Sequence, residues 1–253
     1  YADANEAAAA IPAGRGPVEI KVLVDHIRDL VRGRLDSILK RANSWRLLKA
    51  GKGAIQRRAL RLLAATLSEG IELLAVDMMS AEIPEAVPKR FKNAQEAFRC
   101  VIELSSQTNY NLRDSLDGEL LTVYSGPAHL ASLLLSAADA IEKSALTKLS
   151  PPDGADNAIW KKWLGIRAVD MPFVWQNHRE AIKEDFYQTG TSAVLVLPTG
   201  AGKTTVSALK IAGTLSRGKK VIFLAPTHAL VEQLTEDLQA IFPQDEFGLE
   251  VSS

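Results

Sequence analysis

The residues whose types and spacing point most directly to chemistry lie in LVLPTGAGKTT, residues 195–205. An apolar run ends in a loop with two glycines, and the loop leads straight into a segment with helical periodicity. Such a loop aims several backbone N–H groups into one concavity at the positive end of a helix dipole, where they bind phosphate. Gly200 and Gly202 let the backbone curl around the anion without a Cβ in the way. Because Lys203 can reach the β- and γ-phosphates and the Thr204 hydroxyl can coordinate Mg²⁺, the stretch predicts a site for ATP and Mg²⁺.

This loop resembles the phosphate-binding motif of superfamily 2 helicases. The strict pattern G-x-x-x-x-G-K-[ST] is not met, because Leu197 stands where the first glycine belongs, whereas PTGAGKT is the variant found in this family. The alternative is a glycine-rich structural turn without a ligand. The resemblance implies that Lys203 acts in catalysis and that Thr204 binds Mg²⁺. The nucleotide-binding residues that it implies in this loop are Thr199, Gly200, Ala201, Gly202, Lys203, Thr204 and Thr205.

A second stretch, APTHALVEQ at residues 225–233, follows the next apolar run and looks like motif Ia of the same helicases. This resemblance implies that Thr227, His228 and Gln233 contact nucleic acid. A threonine at the start of a helix suits a phosphate, because its hydroxyl lies beside free backbone N–H groups. The same threonine would cap its helix in either case, so capping alone is the alternative.

A third stretch, FVWQNHREAI at residues 173–182, is similar to the Q motif of these enzymes. The resemblance implies that Gln176 reads the adenine edge through its amide donor and acceptor. Taken alone, a glutamine after a tryptophan is usually a surface or packing residue. Just upstream, Trp160 and Trp163 lie three residues apart, a spacing typical of packing against a neighbouring element, with adenine stacking as the alternative.

The elements around these motifs change in character once along the chain. From residue 18 to about residue 150, apolar residues recur at helical spacing, and glycine or proline breaks divide this half into four or five helices. LSPPDGADNA at residues 149–158 is typical of a linker. The apolar runs at 193–197 and 220–225 then alternate with helical stretches, as in βαβ units on a parallel sheet. We therefore expect an α/β chain with a poorly ordered tail (1–17), a helical accessory domain (18–150), a linker (151–168) and the front part of a RecA-like parallel-sheet P-loop domain (169–253).

Composition limits the class of protein. With 253 residues and 47% apolar content, the chain has ample material for buried cores. The 30 basic and 30 acidic residues cancel, so net charge indicates no partner. The single cysteine, Cys100, cannot form an internal disulfide, and no apolar run is long enough to span a membrane. These features predict a cytoplasmic protein without a membrane partner.

Local charge is uneven in the helical half. Residues 28–61 carry eleven Lys or Arg against two Asp, whereas residues 62–150 carry seven basic against twelve acidic residues. The basic helices, which include Trp45, could follow a phosphate backbone and stack a base. They could equally dock on the acidic remainder of their own domain or on an acidic partner protein, or form a solvated surface.

Together, the resemblance predicts an ATP-dependent helicase or translocase of the DEAD/DEAH-like type, acting on nucleic acid with DNA favoured over RNA. The family's D-E-x-[HD] motif is absent from these residues, and so are its arginine finger and second RecA-like domain. We therefore expect this chain to be the front of a longer enzyme and to bind nucleotide without hydrolysing it. The alternative is a nucleotide-switched interaction subunit, as in a bacterial defence or repair assembly, whose helical domain binds a partner protein. A P-loop kinase or transporter ATPase would have no need of the motif Ia stretch.

Overall fold

The computed structural model describes residues 17–47, 55–106, 124–198 and 202–244. The chain divides into two compact units, Tyr1–Ala145 and Leu146–Ser253, which we call the amino-terminal and carboxy-terminal units. Across the described residues the structure is 66% helix and contains nine α-helices. The division places residues 146–168, which the sequence analysis assigned to the end of the helical domain and to a linker, with the carboxy-terminal unit.

The amino-terminal unit contains five of these helices, joined in part by a 3₁₀ turn at Trp45–Leu47. The third helix is central and packs against the other four. In chain order the helices are α1 (Val18–Val31), α2 (Leu35–Ala42), α3 (Ile55–Met79), α4 (Ala94–Ser106) and α5 (Ser125–Lys143).

Helix α3 forms the core of this unit because its apolar residues fall on one stripe. Leu67, Ile71 and Leu74 recur at intervals of four and three residues, and all are fully buried. Gly70 lies on the side that faces α4, where a Cβ would approach Cδ1 of the Phe98 ring to 2.9 Å. A glycine at this position is therefore what lets the two helices pack closely.

Two carboxylates of α3 are also fully buried, and arginines from neighbouring segments compensate for their charge. Glu72 accepts hydrogen bonds from Trp45 Nε1 at 2.8 Å and from Arg46 Nη2 at 2.5 Å. Glu69 is paired in the same way with Arg90. An unpaired carboxylate in a protein interior is strongly destabilising, so these arginines make the burial tolerable.

Much of the basic stretch at residues 28–61 is engaged inside its own unit. Besides the pairing of Arg46 with Glu72, Arg41 Nη2 lies 2.5 Å from Asp29 Oδ2. Two further pairs lie within single helices, Arg28 with Asp25 and Lys40 with Asp36. Trp45, considered above for base stacking, is buried and donates its indole N–H to a carboxylate. Of the alternatives for this stretch, the contacts of Arg46 and Trp45 with Glu72 favour docking on the acidic part of its own unit.

The carboxy-terminal unit packs its helices around aromatic side chains. Trp160 and Trp163 are buried with their ring centroids 5.7 Å apart, and Trp163 stacks on Phe242 at the same distance. Their indole N–H groups donate to the carbonyls of Leu149 and Ile241. The elements are a 3₁₀ turn (Leu146–Lys148) and the helices α6 (Asn157–Asp170), α7 (Gln176–Lys183), α8 (Lys203–Leu215) and α9 (His228–Ile241).

Helix α6 occupies most of the stretch that was expected to be a linker. It begins where the proline- and glycine-rich segment ends, because the Asp156 carboxylate accepts hydrogen bonds from the N–H groups of Ala158 and Ile159. Both tryptophans of the core lie on α6. The helix therefore contributes to the core of its unit instead of only connecting two domains.

The predicted RecA-like parallel sheet is wrong for the described residues, which contain no strand or sheet. The apolar runs at 193–197 and 220–225 lie outside the helices and remain open to solvent; Val194 is 90% exposed and Ile222 is 87% exposed. A strand is stabilised by a hydrogen-bond ladder to a neighbour and by burial of its faces. Neither run has such a neighbour in the described parts of the chain. Their β-rich composition was therefore a misleading signal, because β propensity reflects fit to a packed sheet more than a backbone preference.

Candidate functional site

The start of α8 carries the residues that were expected to bind phosphate. Lys203 and Thr204 are its first two residues, and both are exposed. Gly202, directly before them, has φ 80° and ψ 36°, a left-handed conformation that glycine adopts without strain. The first N–H groups of a helix have no acceptor within the helix. In α8 these N–H groups lie beside the ammonium of Lys203 and the hydroxyl of Thr204. Three other expected contacts, Thr199, Gly200 and Ala201, lie outside the described residues.

The remaining predicted loop residue, Thr205, lies towards the protein interior. It is half-buried, and its hydroxyl is 3.9 Å from Met171 Sδ. On the same helix, Val206 and Leu209 are buried, and Leu209 belongs to the aromatic core of the unit. Helix α8 is thus held by its buried face while its first two side chains remain accessible.

Helix α7 brings a histidine to the start of α8. Gln176 is the first residue of α7 and its side chain is exposed. His178 is only 3% exposed and lies directly against Gly202. A Cβ at Gly202 would approach the imidazole Cε1 to 2.9 Å and Nε2 still more closely. Sequence reasoning missed this contact, although His178 lies inside the stretch that resembles the Q motif.

A small cavity adjoins the first turn of α8 and is lined mostly by apolar side chains. Two of its lining residues are basic, His178 from α7 and Arg167 from α6. Arg167 is 18% exposed and donates from Nη2 to Met171 Sδ at 2.8 Å. Burial lowers the pKa of Arg167, and the carboxylate of Asp170, 3.7 Å away, acts in the opposite direction. The cavity thus holds a largely desolvated guanidinium.

Helix α9 carries the residues expected to contact nucleic acid. Thr227 is its N-cap, and the threonine hydroxyl accepts a hydrogen bond from the N–H of Leu230 at 3.3 Å. His228 is the first residue of the helix, and Gln233 lies in the second turn. All three predicted side chains are exposed. Thr227 therefore performs the capping role that was the alternative to a phosphate contact, and a cap does not prevent that contact.

Residues 173–252 match the family model described as type III restriction enzyme, res subunit, which is a superfamily 2 helicase-family domain. The comparison thus finds a superfamily 2 helicase-family domain at these residues. The resemblance inferred from the three motifs is thereby confirmed, since the matched segment contains all of them. The match covers roughly a third of the chain, and the assignment applies to that part, which we call the helicase segment. No curated protein and no solved structure gives a significant match.

The family match indicates in general terms which ligands such a domain uses. Domains of the family depend on ATP and Mg²⁺ and bind nucleic acid. Among the helices that the structure describes, none is long and apolar enough to cross a membrane. The same residues contain no group of three or more His, Cys, Asp or Glu side chains arranged to hold a metal ion.

A lysine of the helicase segment that no motif indicated holds the chain ahead of the glycine loop. Lys210 of α8 donates from Nζ to the carbonyls of Phe186, Gln188 and Thr191 at 2.9, 2.7 and 3.3 Å. Burial lowers the pKa of this lysine. Three carbonyls match the three N–H donors of an ammonium group, so Lys210 ties the residues before the loop to the helix that follows it.

Proposed function

We propose that the helicase segment binds ATP with Mg²⁺ at the start of α8, as the nucleotide-binding front part of a DEAD/DEAH-like helicase or translocase. The observation that carries this proposal is the arrangement of Gly202, Lys203 and Thr204 inside the matched segment. A left-handed glycine leads into a helix whose first two side chains are an exposed ammonium and an exposed hydroxyl. This combination of free N–H groups, cation and hydroxyl suits a nucleoside triphosphate with its metal ion.

The donor chemistry fits Mg²⁺ and ATP. Thr204 offers a hard oxygen ligand, and a magnesium ion usually completes its shell with phosphate oxygens and water. When bound, the ion would neutralise phosphate charge. Lys203 would hold the β- and γ-phosphates by charge, and the loop residues before Gly202 would contribute backbone N–H groups. Gln176, at the exposed start of α7, stays the proposed adenine contact.

The nucleic-acid contacts remain a proposal for the first turns of α9. The exposed side chains of Thr227, His228 and Gln233 share this helix with its free N-terminal N–H groups, a setting that suits a backbone phosphate. We infer DNA in preference to RNA as the substrate. Contacts of this kind position a strand without reading its sequence, so we expect binding to weaken with salt.

Nucleotide binding can be tested on the chain itself. We expect Mg²⁺·ATP to bind to residues 1–253, measured by isothermal titration calorimetry, and Lys203→Ala to reduce the affinity at least about tenfold, the factor that corresponds to about 1.4 kcal/mol. Lys219→Ala is the matched control, because Lys219 is an exposed lysine shortly after α8. Since the D-E-x-[HD] motif is absent from these residues, we expect binding without turnover. Equal losses in the two variants, or no binding by the wild type, would refute the proposal.

A second candidate is a nucleotide-switched interaction subunit whose amino-terminal unit binds a protein. The internal pairing of Arg41 and Arg46 and the burial of Trp45 make these groups unavailable to a nucleic acid, and a protein partner would have to contact other side chains of the unit. The two candidates differ in whether single-stranded DNA binds to the helicase segment. Fluorescence anisotropy with labelled DNA, comparing wild type with Thr227→Val and with the control Thr235→Val, separates them.

A further inference from the structure

The contact between His178 and Gly202 joins α7 to the residue that opens α8. The three atoms nearest to the position of a Gly202 Cβ all belong to the imidazole ring. The ring thus fills the space that a side chain would need. With the histidine in place, residue 202 cannot be anything larger than glycine unless one of the two moves.

The imidazole is buried between α7 and α8, beside a cavity too small to take up the whole ring. His178 is 3% exposed and lines the small cavity together with Arg167 from α6 and Thr205 and Leu209 from α8. Interiors are packed closely enough that a side chain of this size transmits displacement to its neighbours. The ring therefore sets the spacing between α7 and the first turn of α8.

Chain connectivity carries this spacing to the proposed phosphate contacts. Gly202 is bonded directly to Lys203, and Thr204 follows, so a shift of the glycine moves both backbone N–H groups and both side chains. Misplacement by about 1 Å can cost about a hundredfold in rate where reacting groups must converge, and the groups that hold one phosphate must converge in the same way. A side chain that touches no phosphate can thus control how well phosphate is held.

We propose that His178 is a positioning residue for nucleotide binding: its ring holds Gly202, and through it the start of α8, in the arrangement that accepts the phosphates. The inference rests on the proposed function of this site. It assigns His178 no contact with the nucleotide and no part in proton transfer. It also accounts for a buried polar residue inside the segment that resembles the Q motif, where sequence reasoning considered only Gln176.

The test measures binding of Mg²⁺·ADP carrying a methylanthraniloyl fluorophore to the 253-residue chain. The variants are His178→Ala, which removes the ring, and His178→Gln, which places a polar atom near the position of Nε2. Val174→Ala is the matched control, because Val174 is equally buried and lines the same cavity but is not among the atoms nearest to Gly202. Thermal unfolding midpoints are recorded for every variant, so that loss of affinity can be compared at similar loss of stability.

We expect His178→Ala to raise the dissociation constant about tenfold or more, His178→Gln to recover part of the affinity because its flexible side chain fills part of the same space, and Val174→Ala to change it less than about twofold. Equal losses in His178→Ala and Val174→Ala, or an unchanged affinity in His178→Ala, would overturn the inference. If neither the wild type nor Lys203→Ala binds the labelled Mg²⁺·ADP, the proposed function fails instead.

A double-mutant cycle tests the contact and remains decisive if His178→Ala is too unstable to bind nucleotide. Gly202→Ala is made in the wild type and in the His178→Gln background, whose side chain is flexible and can yield to a Cβ. We expect the drop in the unfolding midpoint and in nucleotide affinity to be at least about twofold smaller in the second background, because residues in contact do not act additively. Identical losses in the two backgrounds would show that His178 does not restrain Gly202.

Discussion

The stability of the amino-terminal unit should fall in mild acid because of His26. This residue of α1 is fully buried, and in the described part of the chain neither ring nitrogen has a hydrogen-bond partner. Its Nε2 lies 3.8 Å from Glu72 Oε1, which is within ion-pair distance. Burial, together with the charges of Arg41 and Arg46, nevertheless lowers the pKa of His26 to about 3, so the folded protein keeps the imidazole neutral.

The size and sign of the effect follow from proton linkage. Below pH 6.5 the unfolded chain binds a proton that the folded protein refuses until about pH 3, so stability is lost as the pH falls through this window. The slope is about 1.4 kcal/mol per pH unit inside this window and smaller at its two ends, so His26 should remove about 2 kcal/mol between pH 6.5 and pH 5, and about 4 kcal/mol by pH 3. Glu72 acts with the opposite sign, because burial raises its pKa and its protonation in the folded state restores some stability in acid.

Replacement by leucine isolates the histidine, since Glu72 is present in both proteins. We expect His26→Leu to be at least as stable as the wild type at pH 7, because it removes two buried nitrogens without hydrogen-bond partners at similar volume. Hydrogen–deuterium exchange of peptides from α3, measured by mass spectrometry, reports the unfolding free energy of this unit. Taking the ratio of the exchange rates of the two proteins at each pH cancels the intrinsic pH dependence of exchange. The ratio of the two unfolding equilibrium constants should change about fifteenfold between pH 6.5 and pH 5, because the unfolded imidazole is already half protonated at pH 6.5. Parallel pH profiles for the two proteins would refute the reasoning.

Three other predictions follow from individual contacts. Gly70→Ala should destabilise the amino-terminal unit by about 1–3 kcal/mol in urea denaturation, because the new Cβ overpacks against Phe98. Adding Phe98→Leu should relieve much of this loss. A Gly70→Ala variant more stable than the wild type would contradict the packing argument. Lys210→Met removes the ammonium donor of three carbonyls, so it should lower the free energy of unfolding by about 1–3 kcal/mol. It should also speed hydrogen exchange in residues 186–191 but not in α9. The double variant Val196→Thr, Ile222→Thr should reduce light scattering on concentration while leaving the unfolding midpoint unchanged, because both side chains are at least 86% exposed; a lower midpoint would show that they are packed.

Local sequence patterns were sufficient to predict a feature when the residues that determine it lie in one short segment. The helical spacing of Leu67, Ile71 and Leu74 corresponds to the buried stripe of α3. The start of α8 at Lys203 follows from a glycine loop that runs into an apolar periodic stretch, and the superfamily assignment followed from the same short motifs. Each of these inferences needed no knowledge of which distant residues come together.

The errors and omissions concern contacts between residues far apart in the chain. Burial of Glu69 and Glu72 depends on Arg90 and Arg46, more than 20 residues away, and nothing in the spacing of α3 indicates those partners. The contact of His178 with Gly202 likewise joins two separate motifs. The predicted sheet failed for the opposite reason. The composition of 193–197 and 220–225 is local, but a strand exists only through a neighbour that local sequence cannot specify.

The position of the glycine loop depends on helices, and this changes which residues should be considered part of the site. Leu209 and Ala212 of α8 belong to the same core as Trp160 and Trp163 of α6, and Lys210 on the same helix ties down the residues ahead of the loop. The first turn of α8 is held from α7 by His178. Because a phosphate site requires the N–H groups, ammonium and hydroxyl to converge on one point, its precision comes from these contacts as much as from the motif. Two proteins with the same glycine loop can therefore differ in nucleotide affinity through residues that never touch the nucleotide.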